Sequence, residues 1–105
     1  KKVIETSRTW KNSSRIMYVV GAKNTKEIRK IRNMVPDSYL LIPGVGAQGG
    51  NMAEICKQGL DKNLKLIINS SRSIIYASIN DDFAECAAKE AKKIRDEMEN
   101  YINAL

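Results

Sequence analysis

Two polar segments carry the residue types that could do chemistry. The first, Pro43-Gly44-Val45-Gly46-Ala47-Gln48-Gly49-Gly50, places four glycines within eight residues, directly after the apolar run Tyr39–Ile42. Glycine tolerates positive φ and lets main-chain N–H groups approach a ligand closely. Such a segment, leading from the C-terminal end of a strand into a helix, suits an anion, most often phosphate. The second, Asn69-Ser70-Ser71-Arg72-Ser73, follows the next apolar run, Leu64–Ile68, and should therefore lie beside the first. The Arg72 guanidinium can hold a phosphate with two parallel hydrogen bonds. The hydroxyls and N–H groups of Ser70, Ser71 and Ser73 could add donors. Read literally, Gly44 to Gly49 also fits the dinucleotide fingerprint GxGxxG. That fingerprint opens the first βα unit and is followed ~20 residues later by an acidic residue that holds ribose. Here the next strand ends at Asn69-Ser70-Ser71-Arg72 with no carboxylate, and the GK[ST] ending of a P-loop is absent.

Other chemistries are excluded for this stretch of chain. It has no histidine, hence no imidazole acid or base and no histidine metal site. Cys56 and Cys86 are too few for a zinc site and too far apart for a CxxC pair. Two free thiols suit a reducing cytosol, with a single Cys56–Cys86 disulfide as the alternative. With no apolar h-region at Lys1-Lys2-Val3-Ile4-Glu5, a cytoplasmic location is expected. No apolar run approaches the ~20 residues of a membrane span. The formal charge of +6 invites phosphate or nucleic acid as partner. The densest basic cluster, Lys23, Lys26, Arg29, Lys30 and Arg32, falls on one helical segment interrupted by Glu27 and reads as a solvated face. Nucleic-acid binding would also call for exposed aromatics between the cations, and only 6% of the residues are aromatic.

The elements that must position the two segments follow from periodicity. Arg15–Val20, Tyr39–Ile42 and Leu64–Ile68 read as short apolar strands. Asn24 to Val35 reads as a helix, with Asn24 and Glu27 at capping-box spacing, Ile28, Ile31, Met34 and Val35 as its stripe, and Pro36 as its stop. Met52 to Leu60 reads as a short helix with Met52, Ile55 and Leu60 inward. Asp82 should cap a long last helix on which Ala84, Ala87, Ala91, Ile94, Met98, Ile102 and Leu105 form one stripe. Lys2 to Trp10 looks like the tail of another helix anchored by Val3, Ile4 and Trp10, and Ile74 to Ile79 is of uncertain type.

Short apolar strands alternating with amphipathic helices predict an α/β fold with a parallel sheet. The 105 residues suffice for one small domain, not two, yet three parallel strands close poorly. The expected architecture is the C-terminal βα units, about strands 6 to 8, of a TIM (β/α)8 barrel, with residues 1–105 forming part of one barrel domain. In such barrels the loops after strands 7 and 8 frequently form a phosphate site.

Three runs taken together resemble one family. Val19-Val20-Gly21-Ala22, then Leu41-Ile42-Pro43-Gly44-Val45-Gly46-Ala47-Gln48-Gly49-Gly50, then Ile68-Asn69-Ser70-Ser71-Arg72-Ser73 resemble the C-terminal part of orotidine 5′-phosphate decarboxylase, in its longer-chain branch. Ser73 stands where that branch often has Gly, and Lys23 where Thr is common. The resemblance implies a homodimeric carboxy-lyase that converts orotidine 5′-monophosphate to uridine 5′-monophosphate and CO2, the last step of de novo UMP biosynthesis. It implies no metal or organic cofactor, no nucleic acid and no membrane. By the same resemblance Gln48, Ser71 and Arg72 are the substrate phosphate-binding residues, and Pro43 and Gly44 border the substrate pocket. The family's catalytic Lys/Asp network lies in a DxKxxD motif that does not occur in this sequence and is expected upstream, so no catalytic residue is assigned here. The alternatives are a non-catalytic phosphate- or nucleic-acid-binding module, or another phosphate-binding βα barrel.

Overall fold

The computed structural model describes residues 1–45 and 51–105. Gln48, together with Gly46, Ala47, Gly49 and Gly50, lies outside the described residues. The chain opens with helix α1 (Lys2–Ser7) and a 3-10 turn (Ser13–Arg15). Strand β1 (Tyr18–Val19), helix α2 (Thr25–Met34), strand β2 (Leu40–Ile42), helix α3 (Met52–Gly59), strand β3 (Leu66–Ile68), the one-turn helix α4 (Arg72–Ile75) and the long helix α5 (Phe83–Asn103) follow.

The strands form a parallel sheet in sequential order, β1-β2-β3. Leu40 pairs with Tyr18 on one side and Leu66 on the other, and Ile42 pairs with Ile68. Helix α2 packs on α3 and α3 on α5, so the crossover helices stand in a row against one face. That face is the core. Val20, Ile28, Val35, Leu40, Ile42, Ile55, Cys56, Leu60 and Leu66 are buried there, with Ile94, Met98 and Ile102 of α5 packed against them. A strand's side chains alternate between faces, so Val19, Leu41 and Ile67, aligned by the register, form a row on the opposite face. Val19 is 72% and Ile67 37% exposed. A sheet wound in one direction, helices on one side and an apolar row on the other, is how a barrel wall is built.

The stripe expected on α2 holds and is wider than expected. Arg32, assigned above to a solvated basic face, is 2% exposed. It lies one turn beyond Ile28, inside the apolar stripe rather than beside it. Its Nε donates to Gly59 O at 2.9 Å, its Nη1 to Ser38 O at 2.7 Å and to Val35 O at 3.3 Å, and its Nη2 to Lys65 O at 2.6 Å. One guanidinium thus gathers the ends of α2 and α3 with the entries to β2 and β3. Two of the expected anchors of α1 also differ: Ile4 and Ser7 are buried, whereas Val3 is 77% and Trp10 57% exposed. Ser7 Oγ instead meets the Tyr18 hydroxyl at 2.7 Å, fastening α1 to β1.

Candidate functional site

The two polar segments meet where β2 and β3 end. Beyond the last paired residues, Ile42 and Ile68, the strands stay joined: Asn69 N–H donates to Ile42 O at 3.0 Å and Val45 N–H to Asn69 O at 3.3 Å. The Ser70 hydroxyl donates to Val45 O at 3.0 Å. Pro43-Gly44-Val45 and Asn69-Ser70 therefore run edge to edge. Gly44 has φ of 72°, a left-handed conformation that a side chain would strain. The segment leaves the strand by turning there.

Helix α4 follows immediately. Ser71 is its N-terminal cap position, and Arg72 its first residue, exposed to solvent. Sequence reasoning left Ile74–Ile79 unassigned. One turn of helix forms from Arg72 to Ile75 because Ser71 O accepts from Ile74 N–H and Ile75 N–H, at 3.2 and 2.8 Å. The Ser71 hydroxyl accepts from Asn69 Nδ2 at 3.2 Å. Ser70 and Ser73, read above as extra ligand donors, have hydroxyls hydrogen-bonded to each other. Helix α3, which follows the glycine segment, is capped by Asn51, whose Oδ1 accepts from Glu54 N–H at 3.2 Å. A cap there stabilises the start of the helix by about 1 kcal/mol.

A cleft of about 640 Å³ opens at the same end of the sheet, with Val20, Gly21, Lys23 and Asn24 on one wall and Pro43 and Gly44 on the other. Pro43 and Gly44 are thus placed together at its edge. The wall from Val20 to Asn24, where the backbone leaves β1, was not assigned to a site from sequence; its signal was the strand-ending Gly21. One carboxylate lines this cleft: Glu27, in the first turn of α2, stands on it with Lys23 and Asn24 and pairs with the exposed Lys30 at 3.0 Å. Among the described residues no cluster of three or more His, Cys, Asp or Glu could hold a metal ion, and no helix is long and apolar enough to cross a membrane.

No family model matches the chain. Curated relatives do. The orotidine 5′-phosphate decarboxylase of Flavobacterium johnsoniae is 53% identical over 104 residues, covering 99% of this chain and 38% of the relative. That of Christiangramia forsetii is 50% identical over 105 residues, covering 100% of this chain and 39% of the relative. Among solved structures, Leishmania donovani UMP synthase superposes with a TM-score of 0.70 at 27% identity, over 90% of this chain and 21% of that one. A Plasmodium yoelii protein described as an orotidine-monophosphate decarboxylase gives 0.63 at 35% identity, over 81% and 26%. The solved neighbours are TIM barrels, and the three βα units match a stretch of their wall. The chain spans about 38% of the length of the curated relatives it matches.

Proposed function

We propose, from the premise that this chain is homologous from end to end to a stretch of orotidine 5′-phosphate decarboxylase, that it forms the C-terminal βα units of such an enzyme. It supplies the substrate's phosphate-binding loops. The whole protein converts orotidine 5′-monophosphate to uridine 5′-monophosphate: the bond between the pyrimidine ring and its carboxylate breaks, CO2 leaves, and a proton takes its place. Residues 1–105 are part of a single barrel domain, working as a homodimer in the cytoplasm. The proton donor and the charged groups around the reacting carbon belong to the Lys/Asp network, which is not in this stretch.

One observation carries the reading. The two segments that could hold an anion are fastened edge to edge at the C-terminal ends of neighbouring parallel strands, by the Val45–Asn69 and Ser70–Val45 hydrogen bonds. That is the end where barrel enzymes bind their ligands. Arg72 grips the phosphate as a bidentate donor, with the backbone and hydroxyl of Ser71 beside it. Gln48, outside the described residues, adds a donor from the glycine segment. Pro43 and Gly44 border the pocket for the pyrimidine. The phosphate lies far from the bond that breaks, so its binding energy acts by closing and drying the site rather than by moving a proton. A bare nucleic-acid-binding module is not favoured, because the relatives that match the whole chain are decarboxylases.

The test is a comparison of wild type and Arg72→Ala on substrates with and without the phosphate, in the complete enzyme. On orotidine 5′-monophosphate, kcat/KM should fall about 30- to 1,000-fold, the worth of a charge-assisted contact. On orotidine, which lacks the phosphate, the loss should be much smaller. Equal losses on both would show that Arg72 acts on the base or on the fold.

A further inference from the structure

The hydroxyl of Ser70 is used inside the protein, and the directions of its hydrogen bonds can be deduced. Ser70 Oγ donates to Val45 O. A serine hydroxyl has a single proton, so in the contact between Ser70 Oγ and Ser73 Oγ the Ser73 hydroxyl is the donor. A relay of two hydroxyls therefore runs from the second residue of α4, through Ser70, to the last described residue before Gly46. Helix α4 is one turn of four residues. A single turn has no stability of its own, so its orientation comes from helix α5, on which it packs, and from what its polar side chains are tied to. Arg72 opens that turn.

We propose that Ser70 is a positioning residue for Arg72. Its hydroxyl locks the arginine-bearing turn, through Ser73, to the backbone at the end of β2, and so fixes where the guanidinium meets the substrate's phosphate. The inference rests on the phosphate-binding reading above and deepens it. With its proton committed to Val45 O and its oxygen accepting from Ser73, Ser70 is occupied within the protein and acts through Arg72. A displacement of about 1 Å in such a group can reduce turnover about 100-fold, so one hydroxyl is a sufficient lever.

The experiment compares Ser70→Ala, Ser70→Thr and Ser73→Ala in the complete decarboxylase carrying these residues, in the wild-type and Arg72→Ala backgrounds. Orotidine 5′-monophosphate and orotidine serve as substrates. Ser70→Ala should lower kcat/KM on the phosphorylated substrate about 10- to 100-fold, and much less on orotidine. Ser73→Ala should move the same parameter in the same direction, and Ser70→Thr, which keeps the hydroxyl, should restore most of the loss. In the Arg72→Ala background Ser70→Ala should remove little more, because the group it positions is gone. Equal losses on both substrates, full additivity with Arg72→Ala, or a threonine variant no better than alanine would each overturn the assignment. If Arg72→Ala itself fails to distinguish the substrates, the phosphate-binding reading falls and this inference with it. If Arg72→Ala distinguishes them and Ser70→Ala does not, the positioning role alone is wrong.

Discussion

Arg32 donates to carbonyls of Gly59, Ser38, Val35 and Lys65 that stand at the ends of four different elements. Its charge is only loosely met by Asp61, whose Oδ2 is 3.9 Å from Nε. Burial lowers the Arg32 pKa, with Asp61 opposing, and the carbonyl dipoles do the rest of the solvation. Removing such a hub leaves buried acceptors without partners. Arg32→Met should destabilise the complete protein by about 2–4 kcal/mol, read as a shift of the urea midpoint. Arg32→Lys should recover less than half, because an ammonium lacks the planar fork. A loss below about 0.5 kcal/mol for Arg32→Met would refute the role. The sequence did hold a clue to this residue. Ile28, Ile31, Arg32 and Val35 share one helical face, so Arg32 sits where an apolar residue belongs. Its charge drew attention to its neighbours Lys26, Arg29 and Lys30 instead. The opposite holds for Arg72. Its placement at the exit of the third strand was legible from spacing alone, whereas the hydroxyl relay at Ser70 and Ser73 was not. Three serines around an arginine look alike until the turn of α4 selects which two face each other.

The seam between α3 and α5 shows what periodicity does and does not decide. Ile94, Met98 and Ile102 pack on the core as their spacing predicted, but Ala84 and Ala91 on the same stripe are exposed. Helix α5 outruns the three-stranded layer beneath it, so only part of its stripe finds a partner. Helix starts were less legible. Asn24 and Asp82 occupy cap positions as expected, yet neither forms a side-chain cap. The Asp82 carboxylate is taken by the Ser78 hydroxyl at 2.5 Å and the Cys86 thiol at 3.2 Å, which also lowers its pKa. In the α3–α5 seam, Cys56 is 2% exposed and its thiol meets Met52 Sδ at 3.7 Å. Burial, and then the charge of Glu97, push the thiol up from 9.0 to about 11. A thiol held protonated in the folded state contributes stability that is complete below the unfolded value. That contribution is lost as pH rises through the folded one. The unfolding free energy of the wild-type complete protein should therefore fall more steeply between pH 9 and 11 than that of Cys56→Ala. Parallel pH profiles for the two would disprove the burial of this thiol.

At the scale of the molecule, the chain is open and elongated, 50 × 27 × 23 Å along its principal axes. Its radius of gyration is 15.3 Å, where a compact domain of this length has about 13 Å. It exposes 7344 Å², against about 5,900 Å² for a compact monomer of its mass. The sheet face carrying Val19 and Ile67 is open, and Ile75, Tyr76, Ile79 and Phe83 are 62%, 70%, 91% and 61% exposed around the α4–α5 turn. The 105 residues expressed alone should bind a hydrophobic dye, self-associate and melt without a cooperative transition. The complete protein should do none of these. A sharp thermal transition from a monomeric 105-residue chain would contradict this. The strand-helix alternation already implied such an unfinished wall. The sequential strand order was expected as well, because consecutive barrel strands lie side by side, and the sheet has it. Alternation alone fits a doubly wound sheet equally; α2, α3 and α5 standing in a row on one face is what agrees with a barrel wall.

Arg32 and Arg72 stand at opposite mouths of the same three strands, one at the entry and one at the exit. Groups that share no partner add independently, so selection can act on the two mouths separately. A lineage moving to a hotter or colder habitat can retune its melting point among Arg32, Asp61 and Gly59 while the substrate it recognises stays the same. Conversely, on the proposed phosphate-binding role of Arg72, a change confined to that exposed side chain would alter what is recognised and touch heat tolerance far less. Sequence divergence at the two mouths should therefore track different histories, climate at one and metabolism at the other.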